Sequence, residues 1–265
     1  MPSNKPNVSV IIPTYNRANF LREAVASVLE QTEKNFELII VDDGSNDETE
    51  DVVRSFNDER IVFVRIEHSG VSKARNVGVA RSCGEWVAFL DSDDLWLPKK
   101  LSTQLDFFQK NPQVVICQTE EIWVRNGVRV NPHKKHKKQS GWIFEQCLSL
   151  CIVSPSAVMI KKRVFDELGG FDESLPACED YDLWLRAALR YEIFTMSEAL
   201  IIKRGGHDDQ LSGQWGLDYF RLKSLVKILR DPLLDREKRK LVLQEISRRA
   251  EIVKNGAIKR GNKNF

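Results

Sequence analysis

Short apolar segments alternate with amphipathic segments of helical spacing through the first third of this chain. Strand-like segments lie at residues 8–12, 36–41, 61–65 and 86–90, and helical patterns fill residues 19–31, 47–56 and 72–82 between them. Nearly continuous apolar strands that alternate with helices are typical of a parallel sheet covered by helices on both faces. The pattern therefore predicts an α/β fold with a mostly parallel, Rossmann-like sheet flanked by helices.

Polar residues follow three of these predicted strands. Pro13, Thr14 and Tyr15 follow the first strand, Asp43 follows the second, and an acidic turn follows the fourth. In open α/β sheets, ligands bind beyond the carboxyl ends of the strands. We therefore expect these residues to lie along one rim of the sheet and to form a site. Turn formation or helix capping would explain any one set alone, because Asn, Asp, Ser and Gly favour both.

The acidic turn contains Asp91, Asp93 and Asp94. Carboxylates this close repel one another, and burial adds to the cost unless a cation compensates. Mg²⁺ and Mn²⁺ take oxygen ligands, commonly one or two carboxylates with phosphate oxygens and water. The turn therefore indicates a divalent metal that bridges the phosphates of a nucleotide, whose base or ribose Asp43 could contact. The alternative is a solvated acidic turn that caps a helix beginning near Pro98.

Glycine-rich phosphate loops are missing from the sequence. It has no GxGxxG after the first strand and no Walker sequence, which disfavours a Rossmann dehydrogenase and a P-loop NTPase. A nucleotidyltransferase is one alternative, although it should carry a glycine-rich basic loop where this chain has residues 13–16. A catalytically inactive nucleotide- or glycan-binding module is the other alternative, and turnover would distinguish it from an enzyme.

The pattern loosens after residue 114. Short strands are predicted at residues 114–118, 121–125, 128–130 and 199–202, with Asn126-Gly127 as a hairpin turn. Helices are predicted at residues 143–150, 162–168 and 179–190, and the chain is helical in pattern after Gly216. We predict one domain over residues 1–213, with a first half over about 1–115 and a second half over about 116–213, and a C-terminal helical extension over 214–265.

The charge balance does not favour a nucleic-acid partner, because 40 basic residues nearly match 38 acidic ones. The five cysteines form no CxxC pair, which argues against a zinc site and a full disulfide framework. We find neither a signal peptide nor a membrane-spanning segment and expect a cytoplasmic protein. The basic cluster at residues 133–138 predicts a solvated loop or a peripheral contact with anionic lipid. Apolar stripes after Gly216 predict core packing or an oligomer contact.

Five ordered motifs resemble those of the family 2 glycosyltransferases. They are Val8-Ser-Val-Ile-Ile-Pro-Thr-Tyr-Asn-Arg17, Leu38-Ile-Ile-Val-Asp-Asp-Gly-Ser45, Gly70-Val-Ser-Lys-Ala-Arg-Asn-Val-Gly78, Phe89-Leu-Asp-Ser-Asp-Asp94 and Glu179-Asp-Tyr-Asp-Leu-Trp184. The resemblance covers about residues 7–213 and implies an inverting glycosyltransferase with a GT-A type fold. It implies a nucleotide-diphosphate sugar as donor, with a UDP-sugar as the first expectation, and Mn²⁺ or Mg²⁺ as cofactor. The acceptor would be a hydroxyl of a surface glycan or of its lipid-linked precursor, in cell-surface polysaccharide synthesis.

The resemblance also implies roles for single residues at the donor. Pro13, Thr14 and Tyr15 would line the nucleoside pocket. Asp43 would face the base, and Arg75 would approach the ribose or the phosphates.

The predicted metal and leaving-group residues follow from the same resemblance. Asp91 and Asp93 match the family's Asp-x-Asp motif, and the additional Asp94 leaves open which pair contacts the metal. His207 would close over the diphosphate or the metal, and Arg204 would neutralise charge on the leaving group.

Asp180 matches the family's catalytic base, which takes the proton of the acceptor hydroxyl. A base at a helix N-terminus is held ionised by the helix dipole, which keeps it available near neutral pH but weakens it. Partial burial beside Trp184 would offset that weakening. The alternative is that Glu179, Asp180 and Asp182 only stabilise the start of a helix.

Overall fold

A computed structural model describes residues 5–131, 133, 136–207, 210 and 216–261. The strands are β1 (Val8–Thr14), β2 (Phe36–Asp42), β3 (Ile61–Arg65), β4 (Trp86–Phe89), β5 (Leu95–Trp96), β6 (Ile116–Arg125), β7 (Val128–Val130), β8 (Val158–Lys161) and β9 (Phe194–Gly205). The helices are α1 (Ala18–Leu29), α2 (Thr49–Arg54), α3 (Val71–Arg81), α4 (Lys100–Lys110), α5 (Phe144–Ser149), α6 (Lys162–Glu167), α7 (Glu179–Arg190), α8 (Leu217–Ile228) and α9 (Arg236–Lys259).

All of these strands join one sheet. β3, β2, β1 and β4 lie side by side and run parallel. The sheet continues through β8, β6, β9 and β5, and β7 pairs with β6. β8 is antiparallel to both of its neighbours, whereas β9 is parallel to β6. The predicted mostly parallel α/β sheet is confirmed, and the short antiparallel strand β8 joins its two parallel parts.

Helices cover both faces of the sheet because the first strands are apolar on both sides. In β1, Ile11 lies in a buried core with residues of α3 and α7, whereas Val10 and Ile12 lie in a second core with residues of α1. This alternation follows the two-residue period of a strand. α3 packs closely on the sheet, since a Cβ added at Gly78 would lie 2.5 Å from Ile11 Cγ2.

Some predicted elements differ in extent from the observed ones. The strands predicted at residues 114–118 and 121–125 form the single strand β6, which keeps its pairing with β9 through register shifts between Thr119 and Glu121. The strand predicted at residues 199–202 is extended at both ends as β9. β5 and β8 have no counterpart in the prediction, because two and four residues are too short to show a period.

The C-terminal helices are tied to the rest of the fold by a buried arginine. Arg249 of α9 has a side chain only 1% exposed, and it donates hydrogen bonds to Asp218 of α8 and to the backbone oxygen of Ser149. The predicted boundary between residues 213 and 214 lies outside the described residues. Among the helices that the structure describes, none is long and apolar enough to cross a membrane.

The basic cluster is not simply a solvated loop. Lys138 is buried, and its ammonium donates to Thr119 O at 2.9 Å and to Glu121 Oε1 at 3.0 Å. The prediction of a solvated loop is therefore wrong for this residue, because β6 supplies a buried carboxylate for its charge. Lys134 and Lys135 of the same cluster lie outside the described residues.

Candidate active site

A cavity of about 520 Å³ opens between the acidic turn, the start of α7 and the adjoining ends of β6 and β9. Most of the predicted site residues line it: Pro13, Arg75, Asp91, Asp93, Asp94, Asp180 and Arg204. His207 adjoins the cavity through its contact with Asp93. Thr14, Tyr15 and Asp43 lie outside this lining. The expectation that the acidic turn and the end of β1 share one rim therefore agrees with the structure.

The three carboxylates of the acidic turn have different partners. Asp91 Oδ1 accepts a 2.6 Å hydrogen bond from Arg75. Asp93 Oδ2 lies 3.2 Å from Arg17 Nη1 and 2.8 Å from His207 Nε2. Asp94 accepts from Ser156 Oγ at 2.7 Å and from the backbone N–H of Arg204 at 2.9 Å.

These environments give neighbouring carboxyl groups opposite pKa shifts. Burial raises the pKa of Asp94 to about 8; the negative charges of Asp93 and Asp91 add to this effect, whereas Lys203 opposes it. Burial acts in the same direction on Asp91, but the charge and hydrogen bond of Arg75 outweigh it and lower the pKa of Asp91. Burial thus disfavours the ionised form of Asp94, whereas Arg75 favours the ionised form of Asp91.

Asp93 and His207 fit a divalent metal best. Adjacent ligands of an octahedral ion, each about 2.1 Å from the metal, lie about 3 Å apart, which is close to the 2.8 Å between Asp93 Oδ2 and His207 Nε2. Asp91 is engaged by Arg75, and Asp94 by Ser156 and the backbone of Arg204. Within the described residues, no cluster of three or more His, Cys, Asp and Glu side chains is arranged to hold a metal. The geometry thus fits two protein ligands, with the remaining positions open to phosphate oxygens and water.

The predicted nucleoside residues form a separate group beside the cavity. The ring of Tyr15 stacks on His68, with ring centroids 4.0 Å apart. The Asp43 carboxylate accepts from the backbone N–H groups of Ser69 and Gly70 at 2.8 and 2.9 Å. Asp43 therefore holds the loop that precedes α3. Thr14 lies next to Asp43, because the backbone oxygen of Thr14 accepts a hydrogen bond from Asp43 N at 2.9 Å.

Arg75 connects the acidic turn to α7. Its guanidinium is 4% exposed, and its two terminal nitrogens lie 2.6 Å from Asp91 Oδ1 and 2.6 Å from Glu179 Oε1. Both terminal nitrogens are therefore occupied by protein carboxylates, which differs from the predicted approach to ribose or phosphate. Because α3 carries Arg75, the close packing of that helix on the sheet fixes the position of both carboxylates.

Asp180 and Glu179 are adjacent at the start of α7 but face different surroundings. Both residues line the cavity, but Glu179 is buried against Arg75, whereas Asp180 is partly exposed. Asp180 Oδ1 accepts from Tyr181 N at 2.7 Å. Cys178, just before the helix, has a left-handed backbone with φ of 61°. The helix therefore begins directly after this turn, and Asp180 in its first turn is the more exposed of the two acidic residues.

Arg204 holds the acidic turn rather than projecting freely into the cavity. Its Nε donates to the backbone oxygen of Asp93, and its Nη1 pairs with Glu23 of α1. Its guanidinium also lies 5.0 Å from the ring centre of Phe20. Arg204 therefore fixes the backbone of the residue that, with His207, fits a metal.

Sequence reasoning missed several residues of the site. Arg17, Ser156 and Lys203 contact or face the acidic carboxylates, and Glu121 forms a buried pair with Lys138. Arg17 was within a recognised motif, and Lys203 is next to Arg204. Ser156 and Glu121 come from segments without a motif, and Lys138 lies at the end of the basic cluster, which the sequence did not connect with the site.

Family comparison agrees with this geometry. The model of glycosyl transferase family 2 matches residues 9–169. The chain belongs to this family, as its motifs predict.

Two curated relatives have names that specify a glycan product or a transfer reaction. The putative teichuronic acid biosynthesis glycosyltransferase TuaG of Bacillus subtilis is 46% identical over 219 residues, which cover 81% of this chain and 85% of the relative. The Escherichia coli protein WfgD, named UDP-Glc:alpha-D-GlcNAc-diphosphoundecaprenol beta-1,3-glucosyltransferase, is 33% identical over 179 residues, with coverages of 67% and 68%. The chain spans only 30% to 65% of the length of five Rickettsia glycosyltransferases that it matches at 34% to 36% identity.

Solved structures share the fold. Staphylococcus aureus TarS 1–349 in complex with UDP-GlcNAc has a TM-score of 0.77 at 24% identity, with 92% of this chain and 72% of that chain covered. The mannosyltransferase PcManGT of Pyrobaculum calidifontis, in complex with GDP-Man and Mn²⁺, has a TM-score of 0.63 at 20% identity, with coverages of 99% and 82%. The predicted GT-A type fold is thereby confirmed.

Proposed function

We propose that this chain is a metal-dependent inverting glycosyltransferase that moves a sugar from a UDP-sugar to a hydroxyl of a glycan or lipid-linked glycan. The observation that carries the proposal is that one cavity joins the Asp93–His207 pair to the accessible carboxylate of Asp180. A transferase of this kind needs a site for the departing diphosphate and a base for the incoming hydroxyl. Family membership supports the same reaction class.

At the donor, Tyr15 would stack on the base and Asp43 would accept a hydrogen bond from it, with Pro13 and Thr14 completing the wall. Asp93 and His207 would hold Mn²⁺ or Mg²⁺, which supplies Lewis-acid stabilisation of the departing diphosphate. Arg204 would hold the backbone of Asp93 in place, because its Nε donates to the Asp93 carbonyl oxygen. Arg75 would set the distance between the acidic turn and α7 through its two ion pairs.

At the acceptor, Asp180 would take the proton from the hydroxyl as its oxygen attacks the anomeric carbon opposite the diphosphate. The base has to approach that proton within hydrogen-bond reach, about 2.6–3.2 Å between heavy atoms. Its place in the first turn of α7 favours the ionised form through the helix dipole. Glu179 borders the same cavity but is less suited to this role, because its carboxylate is buried and pairs with Arg75.

The acceptor proposal draws on the relatives. The printed name of WfgD describes a diphosphoundecaprenol-linked acceptor, and TuaG is named for teichuronic acid biosynthesis. We propose that this chain also uses an acceptor in cell-surface polysaccharide synthesis. The protein would reach that acceptor through peripheral contact with a membrane. The same proposal divides the chain into a nucleotide-sugar half over residues 1–115, an acceptor half over 116–213 and a C-terminal extension over 214–265.

Donor hydrolysis tests the function without knowledge of the acceptor. The protein is incubated with Mn²⁺ or Mg²⁺ and a panel of UDP-, dTDP- and GDP-sugars, and release of free nucleotide is measured. We expect slow hydrolysis of one donor, loss of hydrolysis with EDTA, and a loss in Asp180→Asn of about 10²- to 10⁴-fold, the usual contribution of a general base. Glu192→Gln, an exposed acidic position after α7, is the control. No donor hydrolysis together with no metal-dependent nucleotide binding in calorimetry would refute the proposal.

A further inference from the structure

Lys203 lies in the wall of the cavity, on β9. In the parallel pairing of β6 and β9 it lies opposite Trp123, and both residues line the cavity. Lys203 is partly exposed, so a ligand in the cavity can reach it. Lys203 lies outside the sequence motifs, and the proposed reaction assigns it no role.

The ammonium of Lys203 has hydrogen-bonding capacity that the protein does not use. It donates to Ser154 Oγ at 3.1 Å. An ammonium carries three donors. Across the part of the chain that the structure describes, no second acceptor and no carboxylate lies within bonding distance of Lys203 Nζ. Two N–H groups therefore remain for a ligand.

The charge of Lys203 is nevertheless well supported. Burial opposes the charged form, but the negative charges of Glu121, Asp94, Asp91 and Asp180 outweigh it and raise the pKa of Lys203. The amine is therefore protonated at neutral pH. These carboxylates act through space, because none of them forms an ion pair with Lys203 within the described residues.

Lys138 provides a contrast within the same cavity wall. Its ammonium donates to Thr119 O and pairs with Glu121 Oε1 at 3.0 Å. Burial lowers the pKa of Lys138 even though Glu121 opposes this effect. One buried lysine is thus committed to a protein carboxylate, whereas the other is charged, accessible and only partly hydrogen-bonded.

The position of Lys203 indicates which part of the substrate it meets. Lys203 lines the same cavity as Asp91 and Asp94 of the acidic turn and Asp180 at the start of α7, and the charges of these residues act on it together with that of Glu121. In the proposed reaction the diphosphate lies at Asp93 and the acceptor hydroxyl at Asp180. The reacting atoms have to come within about 3–3.5 Å of each other. The transferred sugar would therefore lie in the cavity that Lys203 also lines.

We propose that Lys203 binds the transferred sugar, with its two remaining N–H groups donating to oxygen atoms of that sugar. This inference rests on the proposed function. It assigns a donor-sugar contact to a residue outside the Asp-x-Asp and Glu-Asp motifs, and it makes Lys203 a determinant of which sugar is accepted.

The test compares the nucleotide with the nucleotide-sugar. Calorimetry gives the Kd of UDP, and hydrolysis gives kcat/KM for the UDP-sugar selected from the panel, for the wild type, Lys203→Met and Lys203→Arg. We expect Lys203→Met to bind UDP within about twofold of the wild type and to lose about 10- to 100-fold in kcat/KM, the usual effect of removing a charged hydrogen-bond donor. Lys203→Arg, which keeps the charge and the donors, should recover part of that loss.

Lys100→Met is the control for loss of a buried ammonium, because Lys100 is fully buried and does not line the cavity. We expect it to keep the wild-type relation between UDP binding and UDP-sugar hydrolysis. Three results would overturn the inference: unchanged hydrolysis in Lys203→Met, an equal loss of UDP binding, or a loss confined to transfer onto an acceptor, which would place Lys203 at the acceptor. If the wild type neither binds UDP nor hydrolyses any donor, the proposed function fails first and the inference falls with it.

Discussion

Replacement of Arg75 by methionine should destabilise the protein strongly, because it leaves two carboxylates without their shared partner. Arg75 is 4% exposed and Glu179 7% exposed at the side chain, so that pair is deeply buried, whereas Asp91 is 27% exposed and partly screened by water. Removal of one partner of a buried ion pair costs about 3–5 kcal/mol, and a partly exposed pair adds less. We therefore expect Arg75→Met to lower the free energy of unfolding by about 4 kcal/mol.

Urea unfolding at pH 7.5 measures this loss, with Arg81→Met as the control because Arg81 is exposed on the same helix. The double variant Arg75→Met/Glu179→Gln should recover part of the loss, since the uncompensated buried charge of Glu179 is then removed. The difference from the sum of the single variants gives the coupling between the two residues. A loss below about 1 kcal/mol, in the range of exposed ion pairs, would refute the argument that Arg75 stabilises the fold through a buried ion pair. Weaker UDP binding at unchanged stability would instead support the contact with ribose or phosphate that the family resemblance implies.

Three further predictions concern a buried lysine, a tight helix contact and the metal. Lys100 is fully buried, and burial lowers its pKa well below the usual value; Lys100→Met should therefore raise the free energy of unfolding at pH 7. Because the folded-state pKa is depressed, wild-type stability falls as the pH drops below about 10.4, by up to about 1.4 kcal/mol per pH unit, until the folded-state pKa is reached. The gain in Lys100→Met should thus shrink towards pH 10 in urea unfolding, and an equal gain at every pH would contradict this cause. Gly78→Ala should lower stability by about 1–3 kcal/mol through overpacking against Ile11 Cγ2, 2.5 Å from the added Cβ, and a neutral result in thermal unfolding would show that α3 can shift. Asp93→Asn should raise the Mn²⁺ concentration for half-maximal nucleotide binding in calorimetry, whereas exposed Asp166→Asn should not.

The first half of the fold was predictable because each of its elements has a strong local signal. β1, β2 and β3 are continuous apolar segments of the length expected for buried strands, and α3 ends near its predicted residue. β5 and β8 were not predictable in this way, because two and four residues give no period. The position of β8 between β4 and β6 depends on pairing between distant segments, which a local pattern does not contain.

The chemistry of the site was predictable to the level of its motifs but not of its contacts. The sequence indicated that Asp91, Asp93 and Asp94 follow one strand, yet their separate environments depend on Arg75, His207 and Ser156, which are distant along the chain. The prediction treated the three carboxylates as alternative metal ligands. The folded chain gives the three carboxylates different polar partners and shifts the pKa values of Asp91 and Asp94 in opposite directions, because each meets a different segment.

Charge neutralisation in this cavity is shared among distant segments, and that arrangement connects the fold to the proposed reaction. Arg75 holds Asp91 and Glu179, Lys138 holds Glu121, and Lys203 faces the remaining carboxylates without pairing to any within the described residues. Cationic side chains that already pair with carboxylates fix the walls of the cavity but have few unused hydrogen-bond donors for a substrate. A charged group with unused donors can interact with a ligand without first breaking a protein contact. Lys203 satisfies that condition, and because it lines the same cavity as the acidic turn and Asp180, the transferred sugar is the ligand that it would meet.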